Sequence, residues 1–363
     1  MLLVLRRLPL TNRHDRIPGH MSSPAPALQT LPPPVALLSL TTGHWTTQAI
    51  FVATKLCIAD LLRDGPKSTP DLAQSAGVDA RSLYRLLRAL SSVGIFAEGP
   101  DGRFALTPMA ECLQADAPGS MRAWVMVMGE SFGFQPWGDL LHSVKTGQTA
   151  FDHIHGMGFF DYLGKNPEHG RLFDESMTNF SGPEIAAIVA AYDFSGVHTL
   201  VDVAGGYGSL LSAILQANPS MQGILADMPA VIEGARRRFE TSNLADRCTV
   251  APLNFFESVP AGGDAYMLKH IIHDWDDARA TTILRNCHRA MAGQGKLLLA
   301  ETVMTPGNDP EFGKWLDVAM LVYAGGCERT QPEYRDLLAA GGFRLTRIIP
   351  TQSPLSVIEA VPV

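Results

Sequence analysis

Apolar residues between Val35 and Leu62 recur at helical spacing, through Trp45, Ile50, Val52, Leu56 and Leu61, and predict a helical segment. Asp64-Gly65-Pro66 then breaks the pattern. Ser68-Thr69-Pro70 supplies a capping hydroxyl and a first-turn proline, so a helix is expected to open there, run through Leu72 and Ala73, and stop at Gly77. Asp79 caps the next helix, whose Leu83, Leu86, Leu87 and Leu90 form one apolar stripe; Gly94 ends it. Ile95-Phe96 and Phe104-Ala105-Leu106 read as two short strands joined around Gly99-Pro100-Asp101-Gly102. Helix, turn, helix and hairpin make a winged-helix-like pattern. Helical spacing continues from about Ser120 to Tyr192, in a stretch rich in rings such as Phe132, Trp137, Phe151, Phe159, Tyr162 and Phe173. Most of these are expected to pack a core. A few should line a pocket, because an aromatic ligand needs flat apolar walls, and Met177 and Phe180 on one helix are the candidates.

From His198 onward strands alternate with helices. The run VHTLVDVA is a buried strand, GGYG a turn and SLLSAILQA a helix ending near Asn218-Pro219. GILADM and VIEGARRRFE form the next strand and helix. CTVAPLNFF, DAYMLKHII and GKLLLAETV are three more strands, with TTILRNCHRAM a helix before the last. This order predicts an α/β fold with a Rossmann-like, doubly wound parallel sheet and a ligand at the carboxyl ends of its strands.

Composition narrows the classes. The 363 residues are 46% hydrophobic and 18% charged, as in a compact globular protein of two domains. The formal net charge of -7 disfavours nucleic acid, which would need a clustered positive surface. Arg81, Arg85 and Arg88 lie opposite the leucine stripe, as on any solvated helix face, and Arg103 is the only basic residue of the wing. A packing or dimerisation role is therefore expected of this domain. The five cysteines are scattered with no CxxC pair, which excludes a zinc spacing and a disulfide framework and points to a reducing, cytoplasmic setting. No apolar run approaches the roughly 18 residues that span a bilayer. The basic stretch 1–20 has apolar runs too short for a secretory core. Residues 1–33 are expected to be a disordered extension, with a mitochondrial presequence as the alternative for its start.

The turn after the first Rossmann-like strand discriminates between cofactors. G-x-G-x-x-G would need glycine at 211 after Gly206 and Gly208, where Leu211 stands; starting from Gly205 meets Tyr207. What remains is Asp202-x-x-Gly205-Gly206-x-Gly208, an acid at a strand end followed by a turn that permits close approach. S-adenosyl-L-methionine has no pyrophosphate to cradle. It needs backbone room for its amino-acid part and a carboxylate for its ribose hydroxyls, and Asp227, ending the second strand, suits the latter. A packing turn without a nucleotide is the alternative.

The motifs LVDVAGGYG, ADMP, NFFESVPAGGDAYMLKHIIHDWDD, LLLAET and GGCERTQPEYRDLLAAGGF occur in this order. Together they resemble the plant-type caffeate and hydroxyindole O-methyltransferases and their bacterial relatives, over residues 35–361. The resemblance implies methyl transfer from S-adenosyl-L-methionine to a hydroxyl of a small aromatic acceptor, and a front domain that pairs two subunits into a homodimer without binding DNA. It divides the chain into a winged-helix-like dimerisation domain (34–115), connecting helices that contribute to the acceptor pocket (116–192) and a cofactor-binding domain (193–363). By motif, Asp227 resembles the ribose carboxylate, Asn254 and Phe255 the adenine contacts, and Lys269 a cofactor contact. His273 resembles the general base, Glu301 and Glu328 the two acids that flank it, and Asp274 a residue beside the acceptor.

The chemistry agrees with this reading. Methyl transfer from a sulfonium is an in-line displacement, helped by aligning the acceptor oxygen and removing its proton. A histidine with an ordinary pKa near 6.5 can take that proton. A carboxylate on its other nitrogen would orient it; Glu301, at the end of the next strand, is suitably placed for this, and Glu328 arrives from a glycine-bounded loop. HDWDD also reads as a helix start capped by Asp274 or Asp276, and His270 as structural or pocket-lining. No third ligand recurs at metal-binding spacing around His273 and Asp274, so no metal is expected there. Two departures from the family stand out: Ala204-Gly205-Gly206 where three glycines are common, and Leu253-Asn254 in place of Gly-Asp.

Overall fold

The computed structural model describes residues 30–363; the expectations for residues 1–29 lie outside the described residues. The first helix starts at Pro33, inside the stretch expected to be disordered. The expected helical segment from Val35 to Leu62 is three helices, Pro33–Thr41, Gly43–Lys55 and Ile58–Leu61. The first break has a local cause. The Thr41 and Thr42 hydroxyls donate back to the carbonyls of Leu37 and Leu38, competing with helix continuation. The second falls at Cys57, whose φ is +55°.

The helix Thr69–Ala76 is capped by Ser68, which accepts from the Asp71 amide, and ends at Gly77 with φ +69°. The helix Ala80–Ser92 is capped by Asp79, whose carboxylate accepts from the Ser82 amide at 2.8 Å. Strands β1 (Lys67–Ser68), β2 (Phe96–Glu98) and β3 (Arg103–Leu106) form an antiparallel sheet in the order β1-β3-β2; β1 adds to the hairpin read from sequence. Leu72, Leu83, Leu87, Leu90, Phe96 and Phe104 close this small core.

The connecting stretch is helical as expected, ending in the long helix Pro167–Ala191. Phe132, Phe151 and Phe159 pack there against Val322 and Tyr323 from the helix Phe312–Tyr323, so the aromatic layer joins both halves of the chain.

The large sheet runs through β4 (Thr199–Val203), β5 (Gln222–Asp227), β6 (Cys248–Pro252), β7 (Ala265–Lys269), β8 (Lys296–Met304), the short β9 (Arg329–Thr330), β10 (Phe343–Pro350) and β11 (Leu355–Pro362). Its order is β10-β11-β8-β7-β4-β5-β6, with β9 paired to the end of β8. The five strands read from sequence are parallel, but β10 and β11 run antiparallel to them, so the sheet is mixed. The connection 351–354 between β10 and β11 is too short for a crossover and allows only a hairpin.

Side chains alternate between two buried faces. Val201, Val203, Tyr266, Leu268, Leu297 and Leu299 pack on one, and Leu200, Met267, Leu298 and Ala300 on the other. Neighbours β5 and β7 flank β4 on opposite sides, which opens a crevice at the carboxyl end of β4. The chain leaves β4 through Ala204 (φ +56°), Gly206 (φ +59°) and Gly208 (φ +76°). Alanine in the left-handed region is strained by about 1–2 kcal/mol. The family departure at 204 therefore carries a conformational cost. Ala204→Gly is expected to raise stability by about 0.5–1 kcal/mol in urea unfolding, the relieved strain outweighing the lost methyl and the freer unfolded chain; a fall in stability would show that no strain is held there.

Candidate functional site

The crevice beside β4 is lined with carboxylates. Asp202, at the end of β4, is 2% exposed, and its Oδ2 has no hydrogen-bond partner. Its carboxyl is pushed up to about 7, by burial first and then by the charge of Asp227, with Lys269 opposing. Gly205 has no room for a side chain, since a Cβ there would lie 2.4 Å from the Asp202 carboxyl carbon. Asp227, ending β5, accepts from the Gly206 amide at 2.7 Å and the Met228 amide at 2.6 Å, and burial raises its carboxyl too. Asp174 joins them from the helix Pro167–Ala191. Burial and the charge of Asp227 raise it, and its nearest donor is the Tyr207 hydroxyl at 3.5 Å. Three raised carboxyls in one crevice create a demand for positive charge.

That demand fits S-adenosyl-L-methionine, with its sulfonium, its ammonium and two ribose hydroxyls. The unpartnered Asp202 oxygen and the open space beside Gly206, where a Cβ would meet nothing within 4 Å, fit such a ligand. Asn254 and Phe255 follow β6. The Asn254 side chain is exposed and donates to Glu257 at 2.9 Å, while Phe255 packs edge-on near Phe256 and Trp275. Lys269, ending β7, turns elsewhere: its Nζ donates to Ser181 at 2.8 Å and Glu184 at 3.2 Å on the long helix. His270, with φ +55°, brings its Nε2 within 3.1 Å of both Glu184 oxygens. Burial opposes the Glu184 carboxylate, but His270 and Lys269 outweigh it and hold its carboxyl below the usual range.

Four residues past the end of β7, His273 sits on a tight turn and is 6% exposed. Its Nδ1 lies 2.6 Å from Glu328 Oε1 and 3.8 Å from Glu301 Oε2, and its Nε2 lies 3.5 Å from Asp274 Oδ1. Of the two flanking acids, the partner of the imidazole is therefore Glu328. Glu301 accepts instead from the amides of Ile271 and Ile272 at 3.0 and 2.9 Å, and so holds the turn. β8 delivers Glu301 under the turn, whereas the loop before β9 can approach the ring edge. Burial pulls the His273 pKa down, but the charges of Glu301, Asp274 and Glu328 prevail and push it up to about 10. The ordinary value near 6.5 does not apply here. In the same cluster burial pushes Glu301 up to about 7 and Asp274 to about 6.

The loop carrying Glu328 is fastened closely. Its amide donates to Asp317 at 2.9 Å. The buried Arg329 guanidinium donates to Asp277 and to the carbonyls of Ile272, Trp275 and Cys327. At Gly326 a Cβ would lie 2.0 Å from the His273 carbonyl oxygen. Only glycine lets the two backbones meet.

Residues 38–116 match the O-methyltransferase dimerisation domain, and residues 137–344 match the O-methyltransferase domain. The chain belongs to the O-methyltransferase family. It is 46% identical over 327 residues to the phenazine O-methyltransferase PhzM of Lysobacter antibioticus, across 90% of this chain and 96% of that protein. The crystal structure of LaPhzM matches with a TM-score of 0.88 at 46% identity, covering 92% of this chain and all of that one. NcsB1, solved with S-adenosyl-L-homocysteine and 1,4-dihydroxy-2-naphthoic acid, matches with a TM-score of 0.77 at 34% identity, covering 88% of this chain and 96% of that one. This O-methyltransferase is thus an enzyme that uses S-adenosyl-L-methionine, as the motif order implied. No helix among the described residues is long and apolar enough to cross a membrane.

Sequence reasoning overlooked Asp174, Ser181, Glu184 and Tyr323 in this O-methyltransferase. Glu184 did leave a signal: it shares a face with Ala187 and Ile188, and an acid inside a buried apolar stripe demands a partner. Met177 lies half-buried on the same helix as Asp174; the Phe180 side chain lies outside the described residues. An open concavity of about 410 Å³ over Arg285, His288 and Gly342 touches none of these groups. Gly326→Ala should displace the Glu328 loop and lower kcat/KM about 100-fold while cofactor binding, read by titration calorimetry, stays within a few-fold. Near-normal kcat/KM in a folded variant would show that the close approach is dispensable.

Proposed function

We propose that the enzyme methylates a phenolic hydroxyl on a fused-ring aromatic acceptor, with His273 removing the hydroxyl proton. The observation that carries this is the 2.6 Å contact between His273 Nδ1 and Glu328, which commits one ring nitrogen and leaves Nε2 to take a proton. Glu328 orients the ring and stabilises the imidazolium that forms, and Glu301 holds the turn beneath it. Asp274, 3.5 Å from Nε2, sits beside the reacting hydroxyl. On the other side of the crevice Asp227 takes the ribose hydroxyls, Asp202 and the backbone at Gly205 and Gly206 receive the amino-acid part, and Asn254 and Phe255 border the adenine. Lys269 acts at one remove, drawing the long helix over the crevice through Ser181 and Glu184. When bound, the cofactor supplies a methyl carbon on a positively charged sulfur, which needs no further activation.

The fused-ring acceptor is supported by the acceptors named for the relatives, and we assign half-buried Met177 and its helix neighbour Phe180 to the acceptor side. A phenol, with a pKa of about 10, matches an imidazole raised to about 10, so proton transfer between them is nearly level in energy. We place the domain limits at 34–115, 116–192 and 193–363, with a homodimer formed through the first. The free state of all five cysteines supports a cytoplasmic enzyme.

His273→Ala should bind S-adenosyl-L-methionine within a few-fold of the unaltered enzyme yet lose about 10²–10⁴-fold in methyl transfer, measured with labelled cofactor against a panel of hydroxylated naphthoates and phenazines. Retention of most turnover with a good acceptor would remove His273 from the reaction. A base must be unprotonated to act, and this one is raised, so kcat/KM should climb from pH 6.5 towards pH 10. Glu328→Gln, removing a charge that raises the imidazole, should move that limb to lower pH while reducing the plateau. A profile already flat at pH 7 would contradict the raised imidazole.

A further inference from the structure

Away from the crevice, three metal-binding side chains converge on the connecting helices. Asp139 immediately precedes the helix Leu140–Thr146, and His142 stands three residues on, on the same face. Thr149 caps the next helix, Ala150–His155, accepting from the Asp152 amide at 3.1 Å, and this start fixes where His153 emerges. The His153 Nδ1 lies 2.6 Å from Asp139 Oδ2. The His142 and His153 rings lie parallel, 3.9 Å between centroids and 2° between planes. One ligand atom from each of the three residues falls within 4.8 Å of the other two.

We propose that Asp139, His142 and His153 form a site for a divalent transition metal, best suited to zinc, that clamps the two helices together. Two imidazole nitrogens and one carboxylate oxygen make a ligand set of the zinc type, with the fourth position left to water. Zinc takes such ligands at roughly 2.0–2.2 Å, so the two rings must turn out of their parallel stack until each points a nitrogen at the ion. The ion replaces the proton between His153 and Asp139, which leaves to solvent. Asp139 and His142 are half-buried and His153 is exposed, which gives an entry path without unfolding.

The clamp has a structural target. Phe151, two residues before His153, is fully buried and rings Phe159, Tyr162 and Tyr323 surround it. Leu140, next to Asp139, packs on the same cluster. Binding between the helices thus stiffens the aromatic layer without touching His273.

A second trio, His270, His273 and Glu301, also brings its donor atoms within 4.8 Å, but it belongs to the catalytic crevice, and an ion there would occupy the proposed base. The test separates the two. The full chain is stripped with a chelator and dialysed against zinc, and bound metal is measured by atomic emission beside the melting temperature. The unaltered protein should hold zinc with micromolar affinity and melt about 4 °C higher at a hundredfold excess over Kd. His142→Ala and His153→Ala should each weaken that binding at least about tenfold and cut the thermal shift to about half or less. With cobalt in place of zinc, the visible spectrum of a low-coordinate nitrogen and oxygen site should appear in the unaltered protein and vanish in both variants. Equal zinc affinity in the variants, or no micromolar binding in the unaltered protein, would overturn the site. Zinc retained in both variants together with zinc-inhibited methyl transfer would assign the ion to the crevice instead.

Discussion

The Nδ1 atom of His273 lies 2.6 Å from the Glu328 carboxylate, and both groups are almost wholly shut off from water. An imidazole and a carboxylate in that condition must be paired, because either one alone would lose its hydration for nothing. The pairing dictates much of the surrounding architecture. The turn must hold its backbone against the loop, and Glu301 supplies this by accepting two amides. The loop must come within touching distance, which Gly326 permits and Asp317 and Arg329 secure. Five elements thus converge on one ring.

Charge is arranged in two neighbouring compartments. The crevice beside β4 gathers carboxyls that await a cation, so Asp202, Asp227 and Asp174 are all raised. The second compartment gathers carboxyls around an imidazole and raises it instead. A crevice that attracts a cation and a raised imidazole are thereby built from the same kind of residue. The difference lies in what each cluster encloses. Glu184 from the long helix pairs with Lys269 and meets the ring of His270, whose pKa burial lowers.

That helix is the mechanical link of the molecule. It carries Asp174, Ser181 and Glu184 in succession along its length and packs against both the connecting helices and the sheet domain. The aromatic layer makes the same junction through Phe151, Phe159 and Tyr323, the last contributed from far along the chain. The connecting helices and the crevice therefore share one support.

Much of this was legible in the sequence because it is local. The caps at Ser68 and Asp79, the leucine stripe of the front domain and the five parallel strands follow from spacing and turn chemistry within a few residues. The glycine turn and Asp227 mark the crevice for the same reason, since close backbone approach at a strand end needs glycine and a carboxylate whatever surrounds them. Motif order marked His273, Glu301 and Glu328, but not which acid meets the ring. That choice depends on the approach of a loop and on one missing Cβ at Gly326, neither of which is encoded near His273. The raised imidazole, the antiparallel pairing of β11 with β8, and the gathering of Asp174 and Glu184 at the crevice are likewise tertiary. Charges and strand edges interact through space, and the residues that set them here lie tens to hundreds of positions apart.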